Sequence, residues 1–146
     1  MEFAIVLNLL LLMILGMLEF GLAFSMRQVV INASREGARY GIVFTVNNLG
    51  NRVAPINFPS AQPPKASISN WVLLPPPSGG LGLRSILPGD ANPQVIVAGA
   101  GATSGNTGDP LRVTVTCNYP FWVLNKFIPG LGNTMTLAGT TVMRVE

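Results

Sequence analysis

The stretch that decides the fold is residues 2–26, EFAIVLNLLLLMILGMLEFGLAFSM. From Phe3 to Met26, Glu19 is the only ionisable residue. A helix of about 20 predominantly apolar residues is long enough to cross the hydrocarbon core of a bilayer. A charged group inside such a helix is costly and marks a functional site by default. The stretch therefore predicts a membrane-compatible helix in which Glu2 and Glu19 need an explanation.

The helix is expected to continue beyond residue 26, because apolar residues then recur at steps of three and four. One face carries Met26, Val30, Ala33, Gly37, Tyr40 and Phe44, and another carries Gln28, Asn32, Arg35 and Arg39. We expect a single helix over residues 1–42, roughly 60 Å long. This is about twice the hydrocarbon thickness. The second half must therefore leave the membrane and pack its apolar face on a folded domain.

The composition excludes several classes of function. Charged residues make up 10% of the 146 residues, and the net charge of +3 is spread without a basic run, so nucleic-acid binding is not indicated. The chain has no histidine and a single cysteine, Cys117. It lacks the commonest general base and metal ligand and cannot form an internal disulfide. We expect a protein that is not an enzyme and that holds no metal or cofactor.

Residues 43–146 are expected to form a small β-rich domain that contains a long Pro- and Gly-rich loop over residues 47–93. Prolines at this density disfavour long helices. We expect a largely irregular excursion over the surface, with a short strand at Ser69–Leu74. Its apolar residues should be buried against the domain or a neighbouring subunit: Trp71, Val72, Leu73, Leu74, Leu81, Leu83 and Ile86.

Three strands are predicted after this loop, at Gln94–Ala98, Leu111–Tyr119 and Thr134–Val145. The middle strand alternates strictly, which indicates one buried face that includes Cys117 as a small hydrophobic residue. The glycine-rich segment before it lacks the lysine of a phosphate-binding loop and is interpreted as a connector. The predicted fold is α+β, a long N-terminal hydrophobic helix packed on a small three-stranded antiparallel sheet.

The charged residues of the helix are candidate assembly contacts: Glu2, Glu19, Arg27, Arg35, Glu36 and Arg39. Arg27 lies about 12 Å beyond Glu19 along the same helix, too far for an ion pair within one chain. It can reach Glu19 of a copy displaced along the axis, and Glu2 can pair with a neighbouring amino terminus. Such pairs favour a staggered array of parallel helices. Glu36 and Arg39 are spaced for a weak pair within the helix.

These residues resemble the N-terminal signature of the TadE-like proteins of tight-adherence pilus systems. The resemblance is carried by Glu2–Ala4, Glu19–Gly21 and Ala33–Arg39, and by closing strands that contain a V-x-V-x-Y-P-F-like unit and a final Met-Arg. It implies a type IV pilin-like protein that is inserted in the inner membrane by its helix. It also implies processing by a prepilin peptidase and handling by a pilus assembly machinery.

The sequence thus predicts a structural subunit that self-assembles with copies of itself into an extracellular filament. Its helix would lie in the inner membrane before assembly and in the filament core afterwards. A minor pseudopilin or single-span membrane protein that never polymerises is the first alternative. A ligand-binding module at a filament tip, using Trp71, Tyr119 and Trp122, is the second.

Overall fold

A computed structural model describes residues 2–43, 67–76, 80–104, 106–122, 124–127 and 132–146, without the side chains of residues 2, 4, 5, 124 and 127. Its first element is one unbroken helix, α1 (Glu2–Ile42). The predicted length of this helix is confirmed. Phe44, which is expected on the buried face of this helix, lies outside the described residues.

Three antiparallel strands form the sheet in the order β1-β2-β3: β1 (Gln94–Ala98), β2 (Pro110–Pro120) and β3 (Thr134–Arg144). Val115 at the centre of β2 lies opposite Val95 on one side and Gly139 on the other. All three predicted strands are confirmed. The predicted fold is confirmed as well, because the sheet packs on α1.

The core lies between the inner face of the sheet and the second half of α1. The inward residues of β2 are all buried: Leu111, Val113, Val115, Cys117 and Tyr119. From α1 they meet Val30, Ala33 and Ala38. These contacts use the amphipathic half of the helix, which is the half that the sequence assigned to the domain.

A pair of hydroxyl groups, buried Ser34 and half-buried Thr141, also joins α1 to β3. The Ser34 hydroxyl donates to the Ile31 carbonyl at 2.8 Å and lies 2.8 Å from the Thr141 hydroxyl. Since Ser34 has one hydroxyl proton, Thr141 supplies the proton of the second bond. The buried Ser34 hydroxyl is therefore satisfied, as buried polar groups usually are.

Glycines set the closest approaches between α1 and the domain. A Cβ added at Gly139 of β3 would lie 2.9 Å from both the Ile31 Cα and the Val30 carbonyl oxygen of the helix backbone. Gly37 and Gly41 on α1 leave room for side chains of the domain in the same way. The small residues in this half of α1 therefore serve packing within the chain.

The expected strand at Ser69–Leu74 is wrong, because this segment is a short helix, α2 (Ile68–Leu73). The Ser67 hydroxyl caps it by accepting the Asn70 N–H at 3.2 Å. Ile68 and Val72 then fall four residues apart on one buried face, against α1. A serine cap and one turn of helical spacing outweigh the β propensity of this apolar run.

The rest of the Pro- and Gly-rich loop is less irregular than expected where it is described. It contains α3 (Leu83–Ile86) and a 3-10 turn at Gly89–Ala91, and residues 44–66 lie outside the described part. Val72 and Leu83 are buried as expected, whereas Ile86 is 60% exposed in the single chain. Two further short helices are α4 (Ala100–Ser104), inside the glycine-rich connector, and α5 (Leu124–Phe127).

Candidate assembly surface on the N-terminal helix

The first half of α1 projects from the domain with its apolar side chains uncovered. Thirteen large apolar residues there are exposed: Phe3, Val6, Leu7, Leu9, Leu10, Leu11, Met13, Ile14, Met17, Leu18, Phe20, Leu22 and Phe24. Soluble proteins rarely expose a contiguous apolar surface of this extent. A surface of this extent is typical of a helix that lies in a bilayer or against other apolar helices.

The exposed side of α1 changes character directly after Phe24. Ser25, Arg27 and Gln28 are the next exposed residues. On the opposite side the domain already covers the helix at Glu19 and Ala23. The apolar exposed run and the domain contact therefore overlap along the helix by about one and a half turns.

Glu19 lies in this overlap, and its side chain is only 5% exposed. The backbone N–H of Trp122, in the segment after β2, donates a hydrogen bond to Glu19 Oε1. The Tyr119 hydroxyl donates to the Glu19 backbone carbonyl at 3.3 Å. A charge-assisted bond of this kind lowers the cost of placing a carboxylate in apolar surroundings. Glu19 thus joins α1 to the end of β2 and to the segment that follows it, within a single chain.

Tyr119 lies in a buried environment at this junction. Burial raises the pKa of the Tyr119 hydroxyl, and the nearby Glu19 carboxylate raises it further. The Tyr119 ring also meets Phe121 edge-on, with the ring centres 5.7 Å apart. The junction is therefore closed by aromatic side chains as well as by hydrogen bonds.

The sequence did not reveal this partner of Glu19, because the donor is a backbone N–H that any residue could supply. The intrachain bond does not test the expected contact between Glu19 and Arg27 of another copy, which stays a prediction. Arg27 is exposed and eight residues further along α1.

Three further charged residues of α1, Arg35, Glu36 and Arg39, lie on its exposed face. Arg39 Nη1 is 3.9 Å from Glu36 Oε1, with the two side chains 76% and 50% exposed, which confirms the predicted weak pair. Arg35 is also exposed. The side chain of Glu2 lies outside the described part, so its expected registry contact stays a prediction.

The three aromatic residues considered for ligand binding do not form one surface. Trp71 stacks on Tyr40 with the ring centres 4.5 Å apart. Tyr119 is buried, whereas Trp122 is 64% exposed beside α1. In the described part of the chain, no group of three or more His, Cys, Asp or Glu side chains is placed to hold a metal ion.

Comparison with known proteins gives a family match for the N-terminal segment. Residues 1–39 match the family described as TadE-like protein. The match confirms the part of the resemblance that lies in residues 1–39. Comparison with curated proteins and with solved structures gave no match. Within the described residues, one helix is long and apolar enough to span a membrane, in the range Val6–Ile42.

Proposed function

We propose that this chain is a structural, pilin-like subunit that is held in the inner membrane by α1 and assembles through it into an extracellular filament. The observation that carries the proposal is the division of α1 into two halves. One half is uncovered and apolar, and the other half forms the core of the domain. A helix of this kind can exchange lipid for neighbouring helices without disturbing the domain fold.

The match to the TadE-like family supports this proposal, because it falls on the helix that would make the assembly contacts. The low content of charged residues also favours a surface that is covered by other copies. In membranes and in filament cores, helices associate through close packing and interhelical polar contacts. Exposed Arg27 and Arg35 would supply the polar contacts where the helix leaves the apolar layer.

The alternative is a minor pseudopilin or a single-span protein that presents its domain outside the membrane and does not polymerise. One observation favours it. The Glu19 carboxylate already accepts a hydrogen bond within its own chain, so the buried charge does not by itself require a second copy.

Electron microscopy of surface material sheared from cells that produce the full chain separates the two functions. The filament proposal predicts fibres that bind an antibody against this chain. An abundant membrane-bound chain with no such fibres would overturn the filament proposal and favour the single-span alternative.

Disulfide cross-linking in membranes tests the contact surface directly. Cys117 is buried, so an introduced cysteine is the reactive one. Leu10→Cys, on the uncovered half of α1, is expected to form covalent dimers under a membrane-permeable oxidant. Ala138→Cys, exposed on the outer face of the sheet, is the matched control and should cross-link much less. Equal yields at both positions would contradict a specific helix contact.

A further inference from the structure

Trp122 is a large exposed aromatic residue at an unusual position. It is 64% exposed, and its backbone N–H is bound to the carboxylate of Glu19. The position of Trp122 along the axis of α1 is therefore set by Glu19, to within the length of one glutamate side chain. Phe20 and Phe24 are exposed on the neighbouring turns of the helix.

The exposed apolar run of α1 shows where this level lies relative to a bilayer. From Phe3 to Phe24 the run is about 33 Å long at 1.5 Å per residue. The hydrocarbon core is about 30 Å thick, with a polar interfacial layer on each side. Glu19 lies about 8 Å before the end of the run. A membrane that covers the run therefore reaches the base of the domain at Trp122.

We propose that the Trp122 side chain inserts into the interfacial layer of the lipid bilayer next to α1 and fixes the depth of the domain. Tryptophan is enriched at membrane interfaces, where its ring meets the acyl chains and its N–H meets the headgroups. The inference rests on the proposed membrane insertion of α1. It also accounts for a carboxylate at position 19, because the Tyr119–Trp122 segment separates this group from lipid.

The second tryptophan of the chain provides an internal control. Trp71 stacks on Tyr40, which lies about 24 Å beyond Phe24 along α1. A bilayer that ends near Phe24 does not reach it. The two tryptophans should therefore respond differently to quenchers attached to lipids.

The test uses the full chain reconstituted in phosphatidylcholine vesicles. Trp71→Phe leaves Trp122 as the only tryptophan, and Trp122→Phe leaves Trp71. Bromine atoms are placed on the lipid acyl chains either near the carboxyl end or near the methyl end. We expect the Trp122 emission to lose about half its intensity with the shallow bromines and distinctly less with the deep ones, as for an interfacial ring. Trp71 should keep its intensity with both lipids.

If Trp71→Phe folds poorly, the difference between the wild-type chain and Trp122→Phe gives the same signal. Resistance of the chain to alkaline extraction is measured on the same vesicles. Unquenched Trp122 in a chain that resists extraction would overturn the inference and leave the membrane span intact. A chain that is extracted would overturn both.

A second copy of the chain is the competing occupant of this surface. Dilution of the protein in lipid separates the two cases. Quenching by shallow bromines that persists at the highest lipid excess supports the bilayer. Emission that is unquenched and red-shifted at high dilution would show that Trp122 faces water once other copies are diluted away, and would overturn the inference.

Discussion

Glu19 shows how one residue connects the two roles of the helix. Its carboxylate lies at the end of an apolar run, yet it is buried by its own domain and accepts the Trp122 N–H. The sequence predicted that this charge must have a partner, because an unpaired charge is costly in apolar surroundings. It did not identify the partner, since a backbone N–H has no signature in the sequence.

Substitution of Glu19 separates its intrachain bond from a contact with other copies. Glu19→Ala leaves the Trp122 N–H without its acceptor and should lower the free energy of unfolding by about 1–3 kcal/mol. Glu19→Gln keeps an acceptor oxygen and should lower it less. Thermal unfolding and hydrogen exchange of the Trp122 amide in detergent micelles measure both effects. An alanine variant with wild-type stability and wild-type exchange would contradict the intrachain role.

The same pair of variants tests assembly. Glu19→Gln removes the charge, so a variant with wild-type stability but few fibres would assign the charge to a contact between copies. Wild-type fibre yields from Glu19→Ala would contradict the expected contact with Arg27.

Two buried titratable groups predict that the protein becomes less stable at alkaline pH. Burial raises the pKa of the Cys117 thiol, and burial together with Glu19 raises that of Tyr119. The unfolded chain then releases these protons at a lower pH than the folded chain. Stability is complete below the unfolded pKa values and falls as the pH rises above roughly 8.5 for the thiol and 10 for the phenol. The thermal midpoint measured across this range should fall, and less steeply for Tyr119→Phe at its upper end. A midpoint that is constant with pH would contradict the prediction.

At the scale of secondary-structure elements, the packing of β3 on α1 is the main contact between the sheet and the helix. β3 crosses α1 at Gly139, where backbone meets backbone, and the hydroxyl pair of Ser34 and Thr141 lies close by. At the end of the chain, the Glu146 N–H donates to the Ile42 carbonyl at 3.3 Å. The sheet is thus fixed to the second half of the helix at more than one level.

Substitution of Gly139 should separate the sheet from the helix. In Gly139→Ala the new methyl group would meet rigid helix backbone, and overpacking of this kind costs about 1–3 kcal/mol. Gly89→Ala is the matched control, because an added Cβ there has open space. Thermal unfolding of the two variants measures the difference. Equal midpoints would show that the helix and the sheet can move apart at little cost.

At the scale of the whole molecule, the chain combines a helical apolar projection with a small domain built around the base of the same helix. In the proposed membrane-inserted state, the depth at which the bilayer covers the projection follows from the point where its exposed side turns polar, after Phe24. The described parts of the chain then lie either within the apolar layer or outside it. The junction at Glu19 and Trp122 lies on the boundary.

Lysine substitutions at two depths test this arrangement. Leu11→Lys places a charge near the middle of the exposed run and should cost about 3 kcal/mol of insertion free energy. Phe24→Lys lies at the end of the run, where a lysine can extend its amine to the interface at much lower cost. The fraction of each variant that stays in the membrane after alkaline extraction is the measurement. If both variants are extracted to the same extent, the membrane boundary does not lie near Phe24.

The sequence by itself determined the long helix and the three strands, because hydrophobic periodicity is visible in a short window of sequence and needs no tertiary contacts to be recognised. Only the tertiary structure decided that Ser69–Leu74 is helical and that Glu19 binds the Trp122 N–H. The short helix depends on the Ser67 cap and on docking against Gly37 and Gly41. The Glu19 hydrogen bond depends on two segments about a hundred residues apart in the sequence. Contacts of this range follow from how the elements pack, which no local pattern records.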